Sequence, residues 1–267
     1  MAQDKRDVNT SFMKDAARYP SLRDKVVFIT GGASGIGHSL VEHFHDQGCK
    51  VAFVDIAQSA GGALVTTLSG KEGHKPYFEV CDLRNVDNLQ AVVTRIGEQL
   101  GPITVLVNNA GNDDRHTLDE VTSDYFDDRI AVNLKHQLFA AKFVRPQMRD
   151  AGGGSIINFS SITWTVADGD CVCYVTSKAA VVGLTRALST ELGPENIRVN
   201  AIAPGWVMTE RQVSLWLNEA GERQMNDRQA LKGRLHAPDI ARMALWLAAD
   251  DSKMVSKQTF VVDAGWV

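Results

Sequence analysis

Seven short apolar runs alternate with longer amphipathic stretches along this chain. A short continuous apolar run is typical of a strand buried on both faces, and apolar residues at helical spacing are typical of the helix that covers it. Their alternation predicts βαβ units, and therefore an α/β fold with a doubly wound parallel sheet of seven strands and helices on both faces. The predicted strands are residues 26–29, 51–54, 77–80, 105–107, 156–159, 199–203 and 259–262.

The predicted helices and the uniform composition of the sequence favour a single domain. Helices are predicted at 36–44, 60–68, 86–96, about 125–148, a stretch ending near 192, and 240–247. Because no repeat, low-complexity tract or linker divides the sequence, we expect a single dinucleotide-binding and substrate-binding domain over residues 21–267. Residues 1–20 are rich in charged side chains and have no apolar segment, so we interpret them as an N-terminal arm that docks on the body, and not as a secretory signal.

Charge and cysteine usage narrow the function. The 267 residues carry a formal net charge of −4 without a basic run, so we expect no nucleic-acid or membrane partner. The cysteines, at positions 49, 81, 171 and 173, have neither zinc spacing nor a disulfide framework, which favours a cytoplasmic protein. His116 has no Cys/His partners at ligand spacing, so we expect no metal.

A glycine-rich turn, T-G-G-A-S-G-I-G, joins the first predicted strand to the first helix. Gly31, Gly35 and Gly37 permit a tight turn beside a helix N-terminus, where N–H groups and the helix dipole favour a phosphate. Asp55 ends the next strand, where a carboxylate accepts hydrogen bonds from both ribose hydroxyls and repels a 2′-phosphate. The alternatives are a plain turn and a solvated carboxylate, but the order of these parts predicts a Rossmann-type site that prefers NAD to NADP.

Two further strand ends carry polar residues with open interpretations. Asp82 either bonds the adenine amino group or caps the following helix, and Asn85 can share these roles. The small residues of Asn109-Ala110-Gly111 suit the close approach of a flat ring, or else they form a structural turn.

The most informative pair is Tyr174 and Lys178 in Y-V-T-S-K, on a predicted helix that follows Ser161. Residues at i and i+4 share a helical face, so a phenol and an ammonium are held side by side. A nearby cation favours the phenolate, and we therefore expect a lowered tyrosine pKa and a general base for an alcohol. The alternatives are a core tyrosine, a loop-capping Ser161 and, for Asn133, a helix residue bonded to a nearby carbonyl.

Taken together, T-G-x-x-x-G-I-G, N-N-A-G, Asn133, Ser161, Y-x-x-x-K and P-G resemble the short-chain dehydrogenase/reductase family over roughly residues 25–267. The resemblance implies that Ser161, Tyr174, Lys178 and Asn133 are catalytic and that the protein is a homotetramer. It also implies cofactor contacts at Gly31, Ser34, Gly35, Ile36, Gly37, Asp55, Ile56, Asp82, Leu83, Asn109, Ala110, Gly111, Tyr174, Lys178, Pro204, Gly205, Val207 and Thr209.

Three further strings, N-A-G-N-D-D-R-H, L-K-G-R and D-A-G-W, resemble bacterial NAD-dependent aldose 1-dehydrogenases, which oxidise cyclic xylose, arabinose, galactose or fucose at C1 to a lactone. A sugar needs hydrogen-bonding groups around apolar faces, and the polar run 112–116 follows the fourth strand. We therefore expect substrate contacts at Asn112, Arg115, Ser161, Trp164, Tyr174 and Trp206. The alternative is a solvated, salt-bridged loop with tryptophans at a subunit interface.

The sequence thus predicts NAD-dependent oxidation of a small-molecule aldose, with Tyr174 as the base. One alternative is a dehydrogenase or reductase of another small secondary alcohol or ketone, of the polyol or 3-oxoacyl type. A second is a non-catalytic NAD-sensing protein, against which the intact set of Ser161, Tyr174, Lys178 and Asn133 argues.

Overall fold

The chain folds around one seven-stranded parallel sheet with the strand order β3-β2-β1-β4-β5-β6-β7. The computed structural model describes residues 16–167 and 169–267. The doubly wound α/β fold predicted from the sequence is confirmed. The strands are β1 (Val26–Thr30), β2 (Lys50–Asp55), β3 (Tyr77–Val80), β4 (Ile103–Asn108), β5 (Gly154–Phe159), β6 (Ile197–Pro204) and β7 (Thr259–Val262).

Helices connect the strands and cover the sheet. They are α1 (Gly35–Asp46), α2 (Gln58–Ser69), α3 (Val86–Leu100), α4 (Ser123–Ile130), α5 (His136–Asp150), α6 (Thr163–Val166), α7 (Val172–Leu192), α8 (Glu210–Leu215), α9 (Glu219–Arg228) and α10 (Ala237–Ala248), with a π-helical turn, Ala131–Lys135, between α4 and α5. Among the described helices, none has the length and apolar character needed to cross a membrane.

Successive side chains of each strand point to opposite faces of the sheet, and a hydrophobic core forms on each face. In β1, Val27 and Ile29 pack with α1 and α10, whereas Val26 and Phe28 pack on the other face with α3 and α5. All five residues of β1 are buried, because successive side chains of a central strand point into opposite layers. The sheet is therefore held from both sides, and its carboxyl edge is free to carry polar groups.

The N-terminal arm predicted for residues 1–20 lies largely outside the described residues. Its last part contacts the end of α1: the Tyr19 N–H donates to Oε1 of Gln47 at 2.9 Å, and Gln47 Nε2 donates to the Ala17 carbonyl at 3.1 Å. The division of the chain at residue 20 stays a prediction.

Two local predictions differ from the structure. The helix predicted over 125–148 is interrupted by the π-helical turn, which holds Asn133. The short helices α8 and α9 were not predicted, because α9 buries only Gly221 and Met225 and α8 buries no residue. Without a repeated apolar position there is no helical periodicity in the sequence to detect.

The sheet order fixes where a ligand binds. β1 pairs with β2 on one side and with β4 on the other, so the chain changes winding direction between β1 and β4. In such sheets the crevice at the carboxyl ends of these two strands is the usual ligand site.

Leu40→Ala tests the α1 face of the core. Leu40 is fully buried in α1, and removal of its side chain should lower the free energy of unfolding by about 2–5 kcal/mol. Leu118→Ala is the matched control, because Leu118 is 72% exposed and its loss should change that free energy by less than about 0.5 kcal/mol. Equal denaturant midpoints for the two variants would contradict this packing.

Candidate active site

A cavity of about 1210 Å³ lies at the carboxyl edge of the sheet, along the β1–β4 crevice and beside α7. Nearly all of the sequence-predicted site residues line it. The exceptions are Gly35, at the start of α1, Asn133, which is buried behind the wall, and Trp164, which is 38% exposed on α6. The structure therefore brings the predicted cofactor and reactive residues into one space.

The glycine turn between β1 and α1 is tightly folded. Gly31 has a φ of +68°, which favours glycine, and a Cβ placed on Gly37 would lie 1.8 Å from the Gly31 carbonyl oxygen. Ser34, the residue before α1, makes no side-chain capping hydrogen bond. The first-turn N–H groups of α1 therefore face the cavity without that cap, an arrangement suited to a phosphate.

Asp55, at the end of β2, supports the same turn. Its Oδ2 accepts from the Ala33 N–H and its Oδ1 from the Ala57 N–H, both at 3.0 Å. A carboxylate has further acceptor sites on each oxygen, so these two bonds orient Asp55 at the cavity wall and leave capacity for ribose hydroxyls.

The hydrogen bonds around Asp82 and Asn85 exclude one of the two roles predicted for Asp82. Asn85 is the cap of α3, because its side chain accepts from the Asn88 N–H at 2.9 Å. Asp82 instead lies in the cavity wall and is bonded to Arg84, whose Nη2 is 2.6 Å from Oδ2. Asp82 is therefore not the cap of α3.

Asn109 joins the ends of β4 and β1. Its Nδ2 donates to the carbonyl oxygens of Thr30 at 3.0 Å and Gly31 at 2.9 Å, while Thr30 Oγ1 accepts from the N–H groups of Asn109 and Ala110. The Asn109 side chain is thus used inside the protein, and Ala110 and Gly111 form the exposed part of this turn in the cavity.

The reactive candidates meet where β5 ends against α7. The hydroxyl of Ser161 accepts from the Thr163 N–H at 3.2 Å, and it lies near enough to the Tyr174 hydroxyl to lower the pKa of that phenol. Lys178 Nζ donates to the Phe159 carbonyl at 2.9 Å and lies 5.4 Å from the centroid of the Tyr174 ring. Ser161 therefore has both roles that the sequence left open, as a turn residue and as a partner of the phenol.

The pKa of Tyr174 is the main correction to the sequence-based expectation. Burial raises this pKa, and the carboxylate of Asp113 raises it further, whereas the hydrogen bond with Ser161 lowers it. Burial lowers the pKa of Lys178 to about 8, against a raising effect of Asp113. The prediction that Tyr174 has a lowered pKa is therefore wrong for the protein alone, because desolvation disfavours its charged form.

Asn133 lies in the π-helical turn and joins it to the loop after β4. Its Oδ1 accepts from the Asn112 N–H at 2.8 Å, and its Nδ2 donates to the Asn112 carbonyl at 3.1 Å and the Arg129 carbonyl at 3.0 Å. A Cβ on Gly111 would lie 3.1 Å from both Asn133 Oδ1 and Lys178 Nζ, so a side chain there would force these groups to shift.

Residues 112–116, which we call the rim loop, are bonded to α8. Gln212 Nε2 donates to Asp113 Oδ2 at 2.7 Å, and Arg211 Nη2 is 2.5 Å from Asp114 Oδ1. Arg129 also pairs with Asp114, at 3.1 Å. The rim loop is therefore salt-bridged, as one interpretation of the sequence held, yet it still forms part of the cavity wall.

Arg115 and Trp216 pack against each other in the cavity wall. Arg115 Nη1 pairs with Asp170 at 2.7 Å and its guanidinium lies 5.3 Å from the Trp216 ring centroid, but Arg115 Nε is buried without a hydrogen-bond partner. Trp216 Nε1 and Thr163 Oγ1 are likewise buried without a hydrogen-bond partner among the described residues. Trp216, Thr163 and Gln212 line the cavity and were missed, since a single tryptophan, threonine or glutamine in a loop carries no sequence signal.

The class of protein follows from the fold, this cavity and the comparisons. A family model described as Enoyl-(Acyl carrier protein) reductase matches residues 31–267. The chain belongs to the short-chain dehydrogenase/reductase family of oxidoreductases, and the family resemblance stated from the sequence motifs is confirmed.

Particular relatives share nearly the whole chain. "D-xylose 1-dehydrogenase" of Caulobacter vibrioides is 47% identical over 94% of this chain and 99% of its own length. "Probable galactose dehydrogenase GalD" of Rhizobium meliloti is 45% identical over 94% of this chain and 98% of its own length. A 7α-hydroxysteroid dehydrogenase solved with NADH and 7-oxo glycochenodeoxycholic acid has a TM-score of 0.87 and 29% identity, over 92% of this chain and 96% of that one.

In the described residues, no group of three or more His, Cys, Asp or Glu side chains could hold a metal ion. His116, the last residue of the rim loop, is buried, and its Nδ1 lies 3.1 Å from both the Asp114 carbonyl and the Tyr125 hydroxyl.

Gly37→Ala should remove dinucleotide binding. The new Cβ would clash with the Gly31 carbonyl and displace the glycine turn, so the dissociation constant for NADH should rise by at least about tenfold, or 1.4 kcal/mol. Titration of NADH fluorescence measures it. Gly62→Ala on α2 is the control, because a Cβ there meets nothing within 4 Å. Wild-type affinity in a folded Gly37→Ala protein would disprove the role of this turn.

Proposed function

We propose that this protein is an NAD-dependent aldose 1-dehydrogenase, which oxidises a cyclic sugar at C1 to the lactone. The observation that carries the proposal is the polar lining of the cavity beside Ser161 and Tyr174, where Asn112, Asp113 and Arg115 line the same space as Trp206 and Trp216. Amide, carboxylate and guanidinium groups beside indole rings can hydrogen-bond several hydroxyls, so this wall favours a substrate rich in oxygen atoms. The names of the xylose and galactose dehydrogenase relatives agree with that preference.

Flat apolar surface accompanies the donors. Trp216 lies under the Arg115 guanidinium, and Trp206 lines the same cavity with its Nε1 bonded to Gln212 Oε1 at 3.0 Å. A sugar ring presents C–H groups on its faces and hydroxyls at its edge, and a tryptophan face beside polar groups matches both. Asn112, Arg115, Ser161, Tyr174 and Trp206 are the substrate residues that we retain from the sequence analysis, because all five line the cavity. Trp164, outside the cavity, would reach substrate only by moving.

NAD is the proposed cofactor, and Asp55 is the residue that selects it. Asp55 lies in the cavity wall with its orientation fixed by the Ala33 and Ala57 amides. A carboxylate there binds ribose hydroxyls and repels a 2′-phosphate. The neighbouring Ile56 brings no positive charge.

Tyr174 is the proposed general base. Its phenolate takes the proton from the anomeric hydroxyl, while Ser161, which lies beside Tyr174 in the cavity wall, holds the same substrate oxygen in position. The chemistry that NAD⁺ supplies when bound is acceptance of the hydride from C1. Loss of that proton and that hydride leaves the C1=O bond of the lactone.

Lys178 and Asn133 support the base. Lys178 is 2% exposed, and its ammonium is stabilised by the Phe159 carbonyl while it faces the Tyr174 ring. The Asn133 amide fixes the backbone of Asn112, and Gly111, between Asn133 and Lys178, leaves space for a proton to pass outward through solvent.

A cytoplasmic homotetramer is the proposed state. All four cysteines are buried and none forms a disulfide, which agrees with a reducing compartment. The family's usual assembly supports the tetramer.

The proposed function is tested by assaying the pure enzyme with NAD⁺ and NADP⁺ in parallel against aldoses, polyols and a 3-oxoacyl thioester. We expect NADH absorbance to rise with xylose, arabinose, galactose or fucose, and a preference for NAD⁺ of at least about tenfold in kcat/KM. Turnover of polyols or thioesters with none of any aldose would replace this assignment with the alternative substrate class.

Tyr174→Phe should lower kcat by about 10²–10⁴-fold, because it removes the base, while the affinity for NADH changes little. Tyr77→Phe, whose hydroxyl bonds Glu79 on β3 away from the cavity, is the matched control with unchanged kcat.

The pH profile gives a second test of the same base. Since burial and Asp113 raise the Tyr174 pKa, phenolate is scarce at pH 7 and the wild-type rate should rise with pH. The slope should fall above pH 8, because Lys178, with a pKa of about 8, then loses the charge that favours phenolate. A Tyr174→Phe rate within tenfold of wild type, or a wild-type rate that declines steadily above pH 7, would refute Tyr174 as the base.

A further inference from the structure

The helix that carries Tyr174 is capped by a side chain from elsewhere in the chain. Helix N-termini leave backbone N–H groups without intrahelical partners, and the preceding side chain usually accepts from one of them. Cys171, which precedes α7, makes no such bond. Instead the N–H of Cys173, the residue directly before Tyr174, donates to Nε2 of His116 at 3.3 Å.

His116 is held firmly enough to act as a cap. It is 7% exposed, and its own N–H donates to the Asp170 carbonyl at 2.8 Å, just before α7. Its Nδ1 lies 3.1 Å from both the Asp114 carbonyl and the Tyr125 hydroxyl. Because Nε2 accepts from Cys173, the single hydrogen of a neutral ring lies on Nδ1, where the Asp114 carbonyl and the Tyr125 oxygen share it as acceptors.

We propose that His116 is a positioning residue, which fixes the first turn of α7 and with it the hydroxyl of Tyr174; this inference rests on the proposed function, in which Tyr174 is the base. His116 does not line the cavity, so it contacts neither substrate nor cofactor. It belongs to the rim loop, whose Asp113 and Arg115 do line the cavity. One short segment therefore shapes the substrate wall and sets the position of the base behind it.

The size of the expected effect follows from catalytic geometry. Displacement of a reacting group by about 1 Å can cost on the order of 10²-fold in rate. Loss of one cap loosens only the end of a 21-residue helix that remains packed along its length, so the loss should be smaller. We expect kcat to fall by about tenfold.

Three variants separate positioning from general stability. His116→Leu removes the acceptor, whereas His116→Gln places an amide oxygen near the position of Nε2 and keeps it. Asn85→Ala is the matched control: it removes the cap of α3, a bond of 2.9 Å to the Asn88 N–H, from a helix without cavity-lining residues. For each we would measure Tm, kcat, the KM values for NAD⁺ and the best aldose, and hydrogen exchange of the amides in the first turn of α7.

The proposal expects His116→Leu to lower kcat by about tenfold with KM values within about twofold, and to speed exchange of the Cys173 amide. His116→Gln should keep most of the wild-type kcat and most of the slow exchange of the Cys173 amide. Asn85→Ala should lower Tm without lowering kcat. The proposal is overturned if His116→Leu keeps wild-type kcat, if His116→Gln is as slow as His116→Leu, or if Asn85→Ala loses kcat equally.

Failure of the proposed function gives a different result. The wild type would then oxidise no aldose, while exchange of the Cys173 amide would still report on the cap. Should His116→Leu lack activity because it does not fold, as judged by circular dichroism, the comparison of His116→Gln with His116→Asn decides. Asparagine reaches only the position of Nδ1, so His116→Asn should be the slower of the two, and equal rates would overturn the proposal.

Discussion

The side-chain amide of Asn109 is the contact on which the geometry of the whole site depends. It donates to the Thr30 and Gly31 carbonyls, and so ties the end of β4 to the glycine turn after β1. A single such bond contributes only about 1 kcal/mol to stability, yet its geometric effect is large. Because β1 and β4 are neighbours in the sheet but far apart in sequence, these two bonds bring the glycine turn and the end of β4 into one wall.

Gly111 connects the Asn109 turn to the reactive residues, and a side chain at this position would require its neighbours to rearrange. Gly111 lies two residues after Asn109, and a Cβ there would be 3.1 Å from both Asn133 Oδ1 and Lys178 Nζ. A buried ammonium is unfavourable unless it is hydrogen-bonded, and the Phe159 carbonyl at 2.9 Å offsets part of that cost. The remaining cost appears as the lowered pKa of Lys178, so its charge responds to pH within the range where the enzyme would work.

The sequence predicted those parts of the fold and site that depend on local pattern. Strand ends such as Asp55, Asn109 and Ser161 were found because an apolar run shows where its strand stops, and parallel strands bring their ends together. The α8 helix and its bonds to the rim loop could not be found, since Arg211 and Asp114 are 97 residues apart and α8 has no apolar repeat. The His116 cap was missed for the same reason: its partner lies 57 residues away.

The raised pKa of Tyr174 shows why the i, i+4 spacing of Tyr174 and Lys178 did not by itself predict the acidity of the phenol. The i, i+4 relation placed a cation beside the phenol, but burial of the same pair disfavours both charged forms, and Asp113 acts against the phenolate. Gln212 and Arg211 of α8 bond to Asp113, at 2.7 and 3.4 Å, and donors on a carboxylate weaken its field at a neighbouring group. The acidity of Tyr174 is therefore a balance set by residues from β5, the rim loop, α7 and α8, which only the folded chain brings together.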